Sequence, residues 1–102
     1  MAAKSLRHAS IEPAHPGVFL RDIVIPGTGR TKTEISALLG ISRQTLHDIL
    51  SGRQGVSPVV AVRLAKMFGN EAAAWMQMQT AHDLWKAERV VDVSGIPVLT
   101  VA

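Results

Sequence analysis

The sequence predicts a small all-α domain of five helices followed by a short extended C-terminal tail. Apolar residues recur at spacings of three and four through the middle of the chain, the helical period. Hydroxyl and proline start signals alternate with glycine stops. The apolar set is mostly Ala, Leu, Ile, Val and Met, with only two Trp and two Phe in 102 residues, a mix that suits closely packed helices. A chain of this length with 47% hydrophobic residues is expected to form one compact domain with a real core.

Residues 1–14 show no sustained period and read as a loosely ordered arm. A first helix is expected to open at Pro16, since proline at the first helical position loses only an N–H that would be unpaired there. Val18, Phe19, Leu20 and Ile23 supply its apolar face, and Pro26-Gly27 is expected to stop it. Thr31 and Glu34 then match a capping box, in which hydroxyl and carboxylate satisfy each other's free backbone donors. The second helix runs through Ile35, Leu38 and Leu39 to Gly40, a residue free to take the left-handed conformation that ends helices.

Ser42 caps a third helix. Leu46, Ile49 and Leu50 lie on its buried side, leaving Arg43, Gln44, His47, Asp48 and Ser51 mostly outside, and Gly52 closes it. Ser57-Pro58 starts a fourth helix with Val59, Val62, Leu64, Ala65 and Phe68, stopped by Gly69. Asn70 is expected to cap a longer fifth helix, on which Trp75, Met78, His82 and Trp85 form one stripe at steps of three and four. These four are read as core or dimer interface. From Val90 to Ala102 the chain turns valine-rich, is broken by Gly95 and Pro97, and reads as extended. The expected division is therefore an arm over 1–14, a domain over 15–89 and a tail over 90–102.

The net charge is only +3, but it is unevenly placed. Residues 30–53 carry four basic side chains against two acidic ones, residues 54–70 add Arg63 and Lys66 with no acid, and residues 71–102 carry two basic against four acidic. A basic middle and a mildly acidic end suit a protein with nucleic acid on one side and a protein contact on the other. A solvated surface would show the same split.

The informative unit spans Thr33 to Gly52: a short helix, a tight turn at Gly40 to Ser42, and a second helix with a polar outer face. Small Ser36 lets the two helices cross closely, and Ile35, Leu39, Ile41, Leu46 and Ile49 lock the crossing from beneath. This is how a helix is held out to enter a major groove. Gln44 suits bidentate pairing with adenine, and Arg43 suits guanine or a phosphate. Ser42 and Thr45 offer hydroxyls. Lys32 and Thr33, at the start of the preceding helix, and Arg53, beyond the reading helix, are candidates for the DNA backbone. His47 faces either the groove or solvent, and Asp48 either accepts from cytosine or pairs with an Arg. Arg63 and Lys66 read as a solvated helix face.

Three stretches carry a resemblance: Leu39-Gly-Ile-Ser-Arg-Gln-Thr-Leu, Ser51-Gly-Arg-Gln-Gly-Val-Ser-Pro and Ala61-Val-Arg-Leu-Ala-Lys-Met-Phe-Gly. They resemble the lambda-repressor-like (Xre) helix-turn-helix fold. His15-Pro16-Gly17 in front, with Trp75, Gln79, Asp83, Leu84 and Trp85 behind, narrow this to a likeness with the HigA/VapI-type antitoxins of bacterial toxin–antitoxin modules. The likeness covers roughly residues 15–89. It implies a five-helix domain that dimerises, binds operator DNA, represses its own operon and neutralises a partner toxin. That toxin is typically a ribosome-dependent messenger-RNA endonuclease of the HigB/RelE-like kind. Two positions depart from the pattern: His82 stands where an aromatic such as Tyr is expected, and Ser36 where Ala is usual.

Other chemistries have little to stand on. The chain has no cysteine, which excludes disulfides and thiolate metal sites. His8, His15, His47 and His82 lack metal-ligand spacing, and no nucleophilic triad or carboxylate pair can be assembled. No catalytic residue, metal or cofactor is therefore expected. No apolar run reaches the ~20 residues of a membrane span, and the N-terminus lacks a signal-like stretch, so a soluble, cytoplasmic protein is expected. A stand-alone regulator with the same fold but no toxin, and an interaction module that never touches DNA, are the competing readings.

Overall fold

A computed structural model describes residues 11–102 of the chain; the expected N-terminal arm falls mostly outside these residues. Five helices follow in order. Helix α1 consists of three consecutive segments, Pro16–Phe19, a π-helical stretch Leu20–Val24, and Ile25–Thr28. Helix α2 is Lys32–Leu39, α3 is Arg43–Leu50, α4 is Pro58–Phe68 and α5 is Ala72–Val90. No strand occurs among the described residues.

The start of α1 is set by His15, whose ring Nδ1 accepts the Gly17 N–H at 2.9 Å while Pro16 takes the first helical position. Contrary to expectation, Pro26-Gly27 does not end this helix. It runs on to Thr28 and stops at Gly29, which adopts φ 71°. A proline inside an α-helix removes one i→i−4 bond and clashes with the carbonyl it would have bonded. Here the wider turn ahead of it, in which the Ile25 N–H reaches back to the Leu20 carbonyl, loosens the ladder where Pro26 enters. That turn also changes the phase of the apolar face. Leu20 and Ile25, five residues apart, are both buried, whereas Ile23 is exposed.

Helix α4 differs from expectation in the same respect. Val60, Ala61 and Leu64 are its buried residues, and Val59 and Val62 stand in solvent, as does Leu38 on α2. The N-cap of α5 is Glu71, not Asn70. Asn70 is occupied elsewhere: its side-chain oxygen accepts the Trp75 indole N–H at 2.9 Å, and its backbone N–H bonds to the Ala65 carbonyl.

One core joins the five helices, built from Leu20, Ile25, Ile35, Leu39, Leu46, Ile49, Leu50, Val56, Val60, Ala61, Leu64 and Trp75. Helix α4 packs along α5, α2 against α3 and α4, and the first turn of α1 against α3 and α5. Trp75 sits at the junction, its ring 6.1 Å from that of Phe19 and 6.4 Å from that of Phe68. Cutting such a side chain back to Ala costs roughly 3–5 kcal/mol.

Beyond Val90 the backbone turns extended at Val91. A single turn follows, in which the Ile96 N–H meets the Val93 carbonyl at 2.9 Å and Asp92 accepts from both the N–H and the hydroxyl of Ser94. The Cα radius of gyration is 16.7 Å, against about 13 Å for a compact domain of 100 residues. From Glu88 onward every residue is exposed. No described helix is long and apolar enough to cross a membrane.

Candidate nucleic-acid interface

The elbow between α2 and α3 is fixed by local chemistry at each step. The Thr31 hydroxyl accepts the Glu34 N–H at 3.1 Å and the Glu34 carboxylate accepts the Thr31 N–H at 3.0 Å, completing the expected capping box. These bonds hold the Glu34 carboxyl below its usual range, the backbone donor first and the Thr31 hydroxyl second. At the other end Gly40 takes φ 76°, and its N–H with that of Ile41 returns to carbonyls of the last turn. Ser42 then opens α3 by accepting the Thr45 N–H at 2.9 Å.

Behind the elbow, Ile35, Leu39, Leu46 and Ile49 are buried and Ile41 packs against them, as the apolar spacing predicts. Ser36 is buried as well, its hydroxyl turned back onto the Thr33 carbonyl at 2.9 Å, which spares the crossing a free polar group. Gly17 of α1 presses on α3 from the rear: a Cβ there would run into the carbonyl oxygen of Ile49. Helix α3 is thus packed from behind by α1 and α2 and open on its outer face.

On that open side Arg43, Gln44 and His47 are exposed. With Lys32 from α2 they line an open depression of ≈ 540 Å³ whose floor is Leu46 and Leu50. Gln44 Nε2 donates to Asp48 Oδ1 at 2.9 Å, and Arg53 Nη2 lies 3.7 Å from the same oxygen. Ser42 and Thr45 are committed to the cap, their hydroxyls bonded to each other at 2.8 Å. Thr33 is exposed in the first turn of α2, and Arg53 in the loop after α3. The structure therefore gathers Lys32, Arg43, Gln44 and His47 at one depression, ties Asp48 to its own neighbours, and leaves Thr33 and Arg53 at the flanks.

The stripe on α5 divides. Trp75 belongs to the core. Met78, His82 and Trp85 are half-buried. His82 meets His15 edge-on, ring centres 4.9 Å apart, with its Nε2 3.0 Å from Glu12 and its Nδ1 3.4 Å from Asp83. The Arg89 guanidinium lies 3.8 Å from the centre of the Trp85 ring.

Three supporting residues escape a reading of periodicity. Arg63, expected in solvent, donates to the Leu39 carbonyl at 2.8 Å and closes the end of α2. Gln79 is buried and accepts the Val56 N–H at 2.7 Å while donating to Asp83 at 2.9 Å, tying α5 to the loop that follows α3. His15 is buried too. Burial, then the neighbouring His82, holds its ring below the usual histidine pKa, with Asp83 opposing and Lys86 assisting. The neutral ring is the form that leaves Nδ1 free to accept the Gly17 N–H.

Known proteins share this arrangement. A family model described as a helix-turn-helix domain matches residues 2–74. Virulence-associated protein I of Dichelobacter nodosus is 33% identical over 75 residues, which cover 74% of this chain and 69% of that protein. Among solved structures, antitoxin GraA in complex with its operator superposes with a TM-score of 0.80 at 32% identity, over 90% of this chain and 95% of that one. Pseudomonas aeruginosa antitoxin HigA with the higBA promoter gives 0.75 at 27% identity, over 86% of this chain and all of that one (100%). The chain belongs to the Xre-type helix-turn-helix family, among the relatives of virulence-associated protein I and the HigA antitoxins.

Proposed function

We propose that this protein is a DNA-binding antitoxin that lays α3 in the major groove of operator DNA as a dimer. In this reading it represses its own operon and neutralises a cognate toxin of the HigB, messenger-RNA-endonuclease type. The observation that carries the reading is the outward polar face of α3. Arg43, Gln44 and His47 stand clear of the fold on a helix capped at its start and packed from behind, with Lys32 beside them. Arg43 and Gln44 offer the bidentate geometry that reads guanine and adenine edges, while Lys32 and Arg53 suit phosphates. The likeness to antitoxin structures holding operator or promoter DNA supports the same reading.

The test is binding to a labelled fragment of the protein's own promoter, followed by fluorescence anisotropy. Arg43→Ala and Gln44→Ala should each weaken specific binding by ~1–3 kcal/mol and relax preference at one base pair. Lys32→Ala should weaken all sequences alike and lower the slope of log K against log salt by roughly 0.9. Unchanged affinity and selectivity in the Arg43→Ala/Gln44→Ala double variant would refute a reading role for α3. The toxin is tested separately, by co-expression with the adjacent reading frame. A partner that never co-purifies would leave a stand-alone regulator.

A further inference from the structure

We infer that Asp48 is a specificity-determining residue that acts through its neighbours and not by touching a base. It fixes which end of the Gln44 amide faces the duplex, and it draws Arg53 away from the phosphates. The inference rests on the proposed reading of α3 and deepens it. Local electrostatics give an acid no reason to stand at this position. Asp48 lies in the last turn of α3, Arg43–Leu50, where the free carbonyl ends disfavour negative charge. Its neighbours Lys32, Arg43 and Arg53 are the cations that suit a polyanion, which a carboxylate repels. Neither the helix nor the attraction to DNA gains from it.

What the carboxylate does is written in its contacts. Oδ1 accepts Gln44 Nε2 at 2.9 Å, and Arg53 Nη2 lies 3.7 Å from the same oxygen. The backbone beneath is pinned, the Asp48 carbonyl accepting the Ser51 hydroxyl and the Gln54 N–H at 3.0 Å each. The Asp48 side chain is 25% exposed and that of Arg53 67%. The acid is therefore the fixed member of the trio, and Arg53 is the one free to leave.

A carboxylate accepts and does not donate, so only the nitrogen end of the Gln44 amide can face Asp48, and the oxygen takes the other end. In the major groove an acceptor at that end suits the amino groups of adenine and cytosine. Guanine O6 and thymine O4 are acceptors themselves and are refused. Turned over, the same amide would welcome guanine and thymine. Arg53 contributes in a second way. Phosphate attraction is blind to sequence, and a guanidinium drawn toward Asp48 adds less of it. Weaker binding to every sequence, with one base contact kept strict, widens the gap between operator and other DNA.

Asp48→Asn is the test, because it keeps the shape, removes the charge and lets the residue donate as well as accept, which opens both amide orientations. Binding is followed by fluorescence anisotropy on the promoter fragment, on its single-base-pair variants and on an unrelated duplex of equal length. Asp48→Asn should lose on the order of tenfold in preference for adenine or cytosine over guanine or thymine, at the base pair where Gln44→Ala relaxes preference. It should bind the unrelated duplex severalfold more tightly, with a slope of log K against log salt steeper by up to about 0.9. A damaged fold does not produce a gain of affinity. In a Gln44→Ala background Asp48→Asn should change base preference no further, and in an Arg53→Ala background the gain on unrelated DNA should vanish. Equal weakening on promoter and unrelated DNA would overturn the inference, as would altered preference at a base pair that Gln44→Ala leaves alone. A silent Asp48→Asn beside an effective Gln44→Ala sinks this inference only, whereas a silent Arg43→Ala/Gln44→Ala double variant takes the DNA reading of α3 down as well.

Discussion

Adding one methyl group at position 17 tests the architecture more sharply than any deletion. In Gly17→Ala the new Cβ would occupy the place of the Ile49 carbonyl oxygen. That atom belongs to the backbone of α3 and cannot swing aside as a side chain would. Relief requires α1 to lift away until carbon and oxygen reach an ordinary separation of about 3.3–3.6 Å, a movement on the order of 1 Å or more. A radial gap of that size forfeits up to half of the dispersion attraction along the contact. Overpacked cores lose typically 1–3 kcal/mol, occasionally more, and with rigid backbone on both sides the upper end applies. In a domain this size each kcal/mol shifts Tm by roughly 4–8 °C, so Gly17→Ala should melt on the order of 10–20 °C below wild type. Gly27→Ala is the matched control. Its Cβ would meet nothing within 4 Å and its backbone is not left-handed, so it should gain up to about 0.5–1 kcal/mol. Thermal unfolding followed by circular dichroism compares the two. Gly17→Ala melting within 2–3 °C of wild type, at about one kcal/mol per 4–8 °C, would refute the close approach of α1 to α3.

Gln79→Ala leaves the Val56 N–H without its acceptor; an unmet buried donor costs about 1–3 kcal/mol, measurable as a lower urea midpoint. Thr31→Ala removes the α2 cap and should cost about 1 kcal/mol, read in the same titration. His15 makes stability depend on pH. Its folded pKa lies below the unfolded value of 6.5, so the unfolded chain binds the extra proton first. Its contribution is complete above that value and is lost as pH falls through the folded pKa. His15→Asn keeps an acceptor at the N-cap, and its Tm should vary less between pH 7 and pH 5 than that of wild type; equal slopes would exclude His15 as the source. Arg43→Ala and Gln44→Ala carry the functional prediction already given for promoter binding.

The elbow was legible because its signals are local. Thr31, Glu34, Gly40 and Ser42 act within four residues of where they stand, and their hydrogen bonds form as the spacing implies. The phase of α1 was not legible, because a single wide turn at Leu20–Val24 changes which residue faces inward. Nor was the orientation of α4, where valines fill two faces and only contact with α5 and α2 decides that Val60 enters and Val59 does not. Arg63 and Gln79 are polar residues whose partners lie 24 and 23 positions away, beyond the reach of any periodic pattern. The same holds for the candidate site. Exposure of Arg43 and Gln44 follows from the period of α3, whereas the bond from Gln44 to Asp48 is a side-chain choice that spacing permits without requiring.

On the proposed reading, that bond alters what Gln44 would bring to a duplex. One amide proton is already held by Asp48 Oδ1, which leaves the amide oxygen and the second proton, the acceptor–donor pair an adenine edge demands. A long side chain ordinarily surrenders rotational freedom on docking, about 0.5–1.5 kcal/mol for each one immobilised. Here part of that ordering is complete in the free protein, so in the proposed complex the amide would meet its target aimed instead of searching.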